Sequence, residues 1–405
     1  MTMQSPRSGG RPWLVPMTGR DTGEAHRVST PLELLFDLTF VVAVSRAAGQ
    51  LAHAVSADHL EHGIFGYLSV FFAIWWAWMN FTWFASAYDT DDIPYRLLTL
   101  LQMAGVLVLA AGVPSAFDNS FTVVVIGYVL MRVAMIAQWL RAMRGDPDHR
   151  YAARRYAIGT AIVQLAWIGR LALPHELAAA SFLVLAAADI CVPFWAERDN
   201  MTGWHPHHIA ERYGLFTIIV LGECVLAASN AVPISAARPR IAFELVLTSL
   251  GALVLLFALW WLYFQREVGD ELARRRGGMS FRWGYGHYGI FASLAAVGSG
   301  LEVSVAAITE HPAAGPRLVA LAVAVPVSIY LLLLWWLHSA LTEQASMSLL
   351  HVLGAVAATL LIALAAPALG TAWTVAALCV PAVVLAGLSA RDLHRIDGQT
   401  ADPAA

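Results

Sequence analysis

Three groups of residues have the types and spacing to do chemistry. Asp89, Asp91 and Asp92 stand together with Arg96 just beyond them. Hard carboxylate oxygens suit a magnesium ion and an arginine suits the phosphate it accompanies, so this set has the ingredients of a diphosphate site. Glu33 and Asp37 are one helical turn apart, and His205, His207 and His208 lead into Glu211 and Arg212. On a helix, His207 or His208 would share a face with Glu211, as a metal site needs, although no third ligand is evident. Each set also has a bland reading. Asp-Thr-Asp-Asp is a good turn and cap for a following helix, and histidines near an interface titrate close to neutrality without a function.

The third group lies inside apolar stretches. At about 1.5 Å of rise per residue, Arg46 sits about 20 Å beyond Glu33, Glu223 about 18 Å beyond Glu211, and Glu302 about 22 Å beyond His287, so the three share one layer. Gln102, Arg132 and Asp189 form a shallower layer, roughly 9–14 Å in. An unpaired charge at the bilayer centre costs about 2.5–3.5 kcal/mol, so Arg46 is expected to meet Glu223 or Glu302, and Arg132 to meet Asp189. One deep carboxyl is then surplus, and a desolvated surplus carboxyl is a candidate proton carrier. The alternative is a set of structural ion pairs that hold helices together.

These positions need helices across a membrane to hold them. Hydrophobic residues are 59% of the 405 and charged ones 13%, about half the charge of a soluble domain. Segments of the roughly 20 residues that cross a bilayer fall near 33–53, 62–86, 95–117, 121–141, 153–173 and 176–196. Six more fall near 206–229, 242–264, 284–308, 314–338, 346–366 and 370–390 by the same criterion of about 20 apolar residues. The expected fold is all-α, a polytopic bundle of about twelve spans: a disordered leader over 1–30, a six-helix half over 31–197, a second over 198–392, and a disordered tail over 393–405.

All 25 basic residues are arginine, which removes every lysine nucleophile or Schiff base. Nineteen arginines fall on the leader's side and only Arg170, Arg238, Arg240 and Arg317 opposite, with Arg46 and Arg132 inside spans. The positive-inside rule then places both termini in the cytoplasm, with the lipid bilayer as the first partner. Arg274, Arg275 and Arg276 belong to that topological signal. Cys191, Cys224 and Cys379 occupy different segments and read as small packing residues. No phosphate-cradling glycine loop, serine elbow or nucleic-acid module is present, so no nucleic-acid partner is expected.

The two halves carry traces of a duplication. Glu33 and Thr39 recur as Glu211 and Thr217, 178 residues later, and Trp75-Trp76 is answered by Trp260-Trp261 in the following span. Parallel halves would place a substrate site at their interface. The aromatic run from Phe71 to Phe84 suits a cavity or tight packing at Trp75–Trp78, and Trp83, Trp195 and Trp204 suit an interfacial belt.

The strings Glu33-Leu-Leu-Phe-Asp37-Leu-Thr-Phe40, Tyr88-Asp-Thr-Asp-Asp92 with Arg96, and Glu211-Arg-Tyr-Gly-Leu-Phe-Thr-Ile-Ile-Val-Leu-Gly-Glu223 resemble the bacterial low temperature requirement protein A family. The resemblance spans most of the bundle and implies a polytopic inner-membrane protein; it implies no agreed biochemical activity.

Two functions from different classes fit the residues. The favoured one is a proton-coupled secondary transporter of an unidentified small molecule, with Glu223 or Glu302 as carrier, Arg46 as counter-ion, and Glu33, Asp37 and Glu211 as further substrate or proton-coupling residues. The alternative is a membrane-embedded enzyme on a prenyl or lipid diphosphate, with Mg²⁺ on Asp89, Asp91 and Asp92 and the phosphate on Arg96 and Arg212. A sensor or assembly factor without turnover has no residue of its own to argue from.

Overall fold

The computed structural model describes residues 13–21, 24, 27–230, 239–275, 278–310, 313–341 and 347–401. Among these all regular structure is helical, with no strand. The first six long helices are α1 (Pro31–Ser56), α2 (Leu60–Ala87), α3 (Ile93–Phe117), α4 (Thr122–Gly145), α5 (Arg150–Arg170) and α6 (Ala178–Ala196). Then come α7 (Pro206–Asn230), α8 (Pro239–Phe264), the short α9 (Gly269–Arg274), α10 (Gly278–Thr309) and α11 (Pro316–Leu341). The chain closes with α12 (Leu349–Leu364), the single turn α13 (Ala366–Leu369) and α14 (Thr371–Ala401).

A long helix stands on each of the twelve expected segments. Eight are long and apolar enough to cross a membrane, and α12 is apolar but shorter. The others, α1, α5 and α7, carry charges such as Glu33, Asp37, Arg154, Glu211 and Arg212 in their first two turns, which lowers their hydropathy without changing their place in the bundle. The chain is thus an all-α polytopic membrane protein. Polar residues at the end of α14 continue the helix through Ala401, beyond the expected boundary at 392, because a charged helix end can stand in water.

Local sequence sets the helix starts at the functional end. Thr30 and Glu33 form a reciprocal capping box on α1, with Pro31 in its first turn. Asp92 caps α3 by accepting from the Tyr95 amide at 2.9 Å, after Asp91 turns the chain with a φ of 45°. Close packing follows small residues: a side chain on Gly105 of α3 would lie 2.7 Å from the Gly127 carbonyl of α4, and one on Gly127 would lie 2.6 Å from the Gly105 carbonyl.

The order of packing repeats. In the first half α1 packs on α2 and α3, then α3 on α4, α4 on α5 and α5 on α6; in the second, α7 packs on α8 and α10, then α10 on α11, α11 on α12 and α12 on α14. The surroundings do not repeat. Helix α8 runs along α14, whereas α2 turns to α1, α3, α7 and α10 at the centre. The tryptophan pairs record this: Trp75 and Trp76 are 2% and 1% exposed, but Trp260 and Trp261 are 41% and 51% exposed. Trp78 stacks on Phe216 at 4.2 Å, so the α2 aromatics are packed core. Trp83 and Trp204 pack edge to face at 4.9 Å, and Trp204 is buried instead of joining a belt. The three cysteines are free and stand apart.

Candidate functional site: a closed charge cluster and an open carboxyl pair

The first two turns of α1 and α7 meet, and their charges meet with them. The Arg212 guanidinium, fully buried, donates to both Asp37 oxygens at 3.0 and 2.5 Å and lies 3.0 Å from Glu33 Oε1. Trp78 Nε1 donates to Asp37 Oδ1 at 2.7 Å, and His208 Nε2 lies 3.1 Å from Glu33. Arg27 completes the set, 3.9 Å from Glu33, while its guanidinium donates to the Ser86 and Ala85 carbonyls at the end of α2. Two carboxylates thus face two guanidiniums. Removed from water together and hydrogen-bonded, such charges are tolerated because each is matched.

This geometry corrects several expectations. Arg212 is held on both sides by carboxylates and buried, so it is not placed to take a phosphate. The three aspartates diverge to three arginines: Asp89 to Arg20 at 3.2 Å, Asp91 to Arg96 at 2.6 Å, and Asp92 to Arg141 at 2.5 Å. Their carboxylates are therefore not gathered for Mg²⁺, and among the described residues no group of three His, Cys, Asp or Glu could hold a metal ion. The capping reading of Asp92 holds. Arg96 is half-exposed but engaged with Asp91 through two hydrogen bonds.

The aspartates instead fasten the chain that precedes α1. Asp92 accepts from the Val15 amide at 2.9 Å, the Arg20 amide donates to the Ala87 carbonyl at 3.1 Å, and Met17 is buried. The described part of the expected leader, from residue 13 onward, is therefore docked across the helix ends. The reason is the carbonyl-rich, negative end of α2, which attracts Arg20 and Arg27. The outcome for the carboxyls differs with their partners. Burial pushes Asp89 above its ordinary range and the nearby Glu33 charge adds to this, against Arg27 and Arg20. Burial also acts on Asp92, but hydrogen bonds from Val15, Tyr95 and Arg141 outweigh it and hold that carboxyl low.

His207 and Glu211 part company with His208. His207 pairs with Asp270 at 3.1 Å on the surface, and Glu211 accepts from the Ser29 amide at 3.3 Å. Both border a cavity of about 460 Å³ among α7, α8, α10 and α11. Deeper in it, His287 bonds the Trp283 carbonyl through Nδ1 at 2.8 Å and the Tyr263 hydroxyl through Nε2 at 3.0 Å.

Further along the bundle, Arg132 meets Asp189 at 3.1 Å as expected, and Trp167 Nε1 donates to the other oxygen at 2.8 Å. The deep layer behaves differently. Arg46 is exposed on α1 and forms no ion pair with Glu223 or Glu302, because the Arg46 position turns away from α7 and α10 while its neighbours Ala47 and Ala48 are buried. Glu223 is 8% exposed, close to Ser45 of α1 and near enough to Glu302 for the two carboxyls to repel. Helix α10 approaches so closely that a side chain on Gly298 would lie 2.9 Å from Glu223 Cβ. Glu223 is thus buried while Glu302 is exposed, and among the described residues no cation pairs with either carboxyl.

Sequence reasoning missed the leader's part in the cluster and the link between His208 and Glu33. The signal available was the presence of Arg20 and Arg27 just before a capping box. It also missed His287 and Tyr263, which carry no motif.

Comparison with known proteins agrees with this architecture. The chain is 29% identical over 297 residues to the uncharacterized protein RA0937 of Rhizobium meliloti (strain 1021), covering 69% of each chain. No solved structure matches. The family model for the bacterial low temperature requirement A protein (LtrA) matches residues 28–386, and the chain belongs to that family.

Proposed function

We propose that the chain is a secondary transporter that couples movement of a small solute to protons, with Glu223 as the carrier and Glu302 as its neighbour. The observation that carries this reading is a buried Glu223 carboxyl, with Glu302 as its charged neighbour and no cation paired to it among the described residues. It lies where α1 of the first half meets α7 and α10 of the second, in a bundle whose other deep acid, Asp189, is matched. An ionisable group inside a membrane marks a pathway when no partner explains its presence. Arg46 drops out of the mechanism as a counter-ion.

The cavity beside Glu211 supports a route to this group. It follows α7 from His207 to Ile218 and ends five residues, about 7–8 Å of helix, short of Glu223. Solute would enter it from the arginine-rich end, which the charge asymmetry assigns to the cytoplasm of a bacterial cell, with the protein in the cytoplasmic membrane. Rocking of one half against the other would then expose the Glu223 layer in turn to each side. The diphosphate enzyme has no observation in its favour, since each aspartate of its metal set holds an arginine.

The test is proton movement in liposomes that contain the full chain and an interior pH dye, with a panel of small solutes added outside. At least one solute should shift interior pH, and Glu223→Gln should abolish the shift. A Glu223→Gln protein that melts like the wild type and keeps the full shift would overturn the assignment.

A further inference from the structure

We infer that the apolar cavity among α1, α2, α10 and α11 holds an acyl chain of a bilayer phospholipid. The cavity measures about 420 Å³, within the roughly 300–1,000 Å³ of sites that bind small molecules. Neither Glu223 nor Glu302 lines it, and it shares no lining residue with the cavity beside Glu211.

Its lining decides the ligand. Leu51 of α1, Ile64 of α2, Leu321 and Ile329 of α11 form walls, and Ala292 and Ala296 of α10 form a low floor. The hydroxyls present are already engaged with backbone carbonyls: Tyr67 with Ala292 at 2.6 Å, Tyr288 with Leu68 at 2.9 Å, Ser293 with Gly289 at 2.7 Å and Ser299 with Ala48 at 2.8 Å. Each hydroxyl proton is thus spent inside the protein, so the lining offers a water molecule, which needs two to four polar partners, no free hydroxyl donor and an almost wholly apolar wall. A polar solute would be stranded in the same way. What fits is a slender apolar chain.

Its mouth decides the source. Ile64, Leu68, Val325 and Ile329 are both lining and exposed, and they lie on α2 and α11, two helices apolar enough to cross a membrane. The cavity therefore opens sideways, on the surface that hydrocarbon covers. Leu51 lies eighteen residues beyond Glu33, about 27 Å along α1, so the opening serves the leaflet farther from the arginine-rich end. A chain seated there would touch α1 and α2 of one half and α10 and α11 of the other.

The experiment uses the full-length protein in phospholipid vesicles doped with a phospholipid that bears a photoactivatable diazirine on its acyl chain. Labelled peptides are mapped by mass spectrometry. Labelling should concentrate on the segments around Leu51, Ala296 and Leu321. Ala296→Phe, which fills the floor, should lower it about tenfold, the effect of displacing about two methylenes. Ile329→Trp closes the mouth from an exposed position that folding does not depend on, and should lower it in the same direction. Labelling spread evenly over the exposed helix faces, or unchanged in both variants, would overturn the inference. So would labelling seen only with a diazirine free fatty acid, or a cavity covered by a second copy of the chain and closed to lipid.

Discussion

At the arginine-rich end the protein buries charge in matched sets, and at the Glu223 layer it buries charge unmatched. In the first region Glu33 and Asp37 face Arg27 and Arg212, and each carboxylate has a hydrogen-bond donor from another helix or from the docked leader. In the second, the buried Glu223 has the exposed Glu302 as its charged neighbour, and the arginine expected to answer them points elsewhere. Both lie where α1 approaches α7, so position does not distinguish them. Charge balance does. A matched cluster fixes how α1 and α7 register and has no group left to act, whereas an unmatched carboxyl is a cost to the fold that needs another reason to persist.

The comparison can be broken most forcefully at Arg212. Arg212→Met leaves Asp37 with only its Trp78 bond and beside a second carboxylate, Glu33, and should lower stability by about 3–5 kcal/mol, read as a large fall in melting temperature in detergent. Adding Asp37→Leu should recover much of the loss; no recovery would mean that packing and not charge holds the junction. Arg132→Met strands only Asp189, which keeps its bond from Trp167, so the expected loss is smaller, about 2 kcal/mol. Asp92→Ala removes the α3 cap and the anchor of Val15, costing about 1 kcal/mol. Hydrogen exchange at residues 13–20 should rise in that variant, and unchanged exchange would show that Arg20 alone holds the leader.

The smallest expected effect is on pH dependence. Burial pushes His205 below its ordinary value of 6.5, with nearby His207 and Arg27 acting in the same direction and Glu24 against. The folded protein therefore binds this proton less readily than the unfolded chain. Stability from this site is complete above the ordinary value and declines as pH falls below it. Melting temperature followed from neutral to mildly acidic pH should fall less steeply in His205→Gln, and parallel curves would remove His205 from the account.

Much of the architecture was legible because hydrocarbon imposes one rule along the whole chain. Apolar length located the helices, and depth counting found Arg132 opposite Asp189, since both sit on well-filled spans whose facing sides are fixed by neighbours. The same counting failed for Arg46. Depth along a helix says nothing of azimuth, and the buried stripe of α1 runs through Ala43, Ala47 and Ala48, leaving Arg46 on the other side. The aspartates were misread for a related reason: three carboxylates adjacent in sequence point to three places once Asp91 adopts a positive φ. Nor could composition show that a polar, arginine-bearing leader would dock, because its partners are carbonyls at a helix end that no residue type announces.

If charge matching separates structural from working carboxyls, melting temperature and solute-driven proton movement should part in opposite ways for Asp37→Asn and Glu223→Gln. Asp37→Asn should melt well below the wild type yet keep coupled movement in its folded fraction, and Glu223→Gln should melt at or above the wild type and lose coupling. A Glu223→Gln protein that is as destabilised as Asp37→Asn and still moves protons would contradict it.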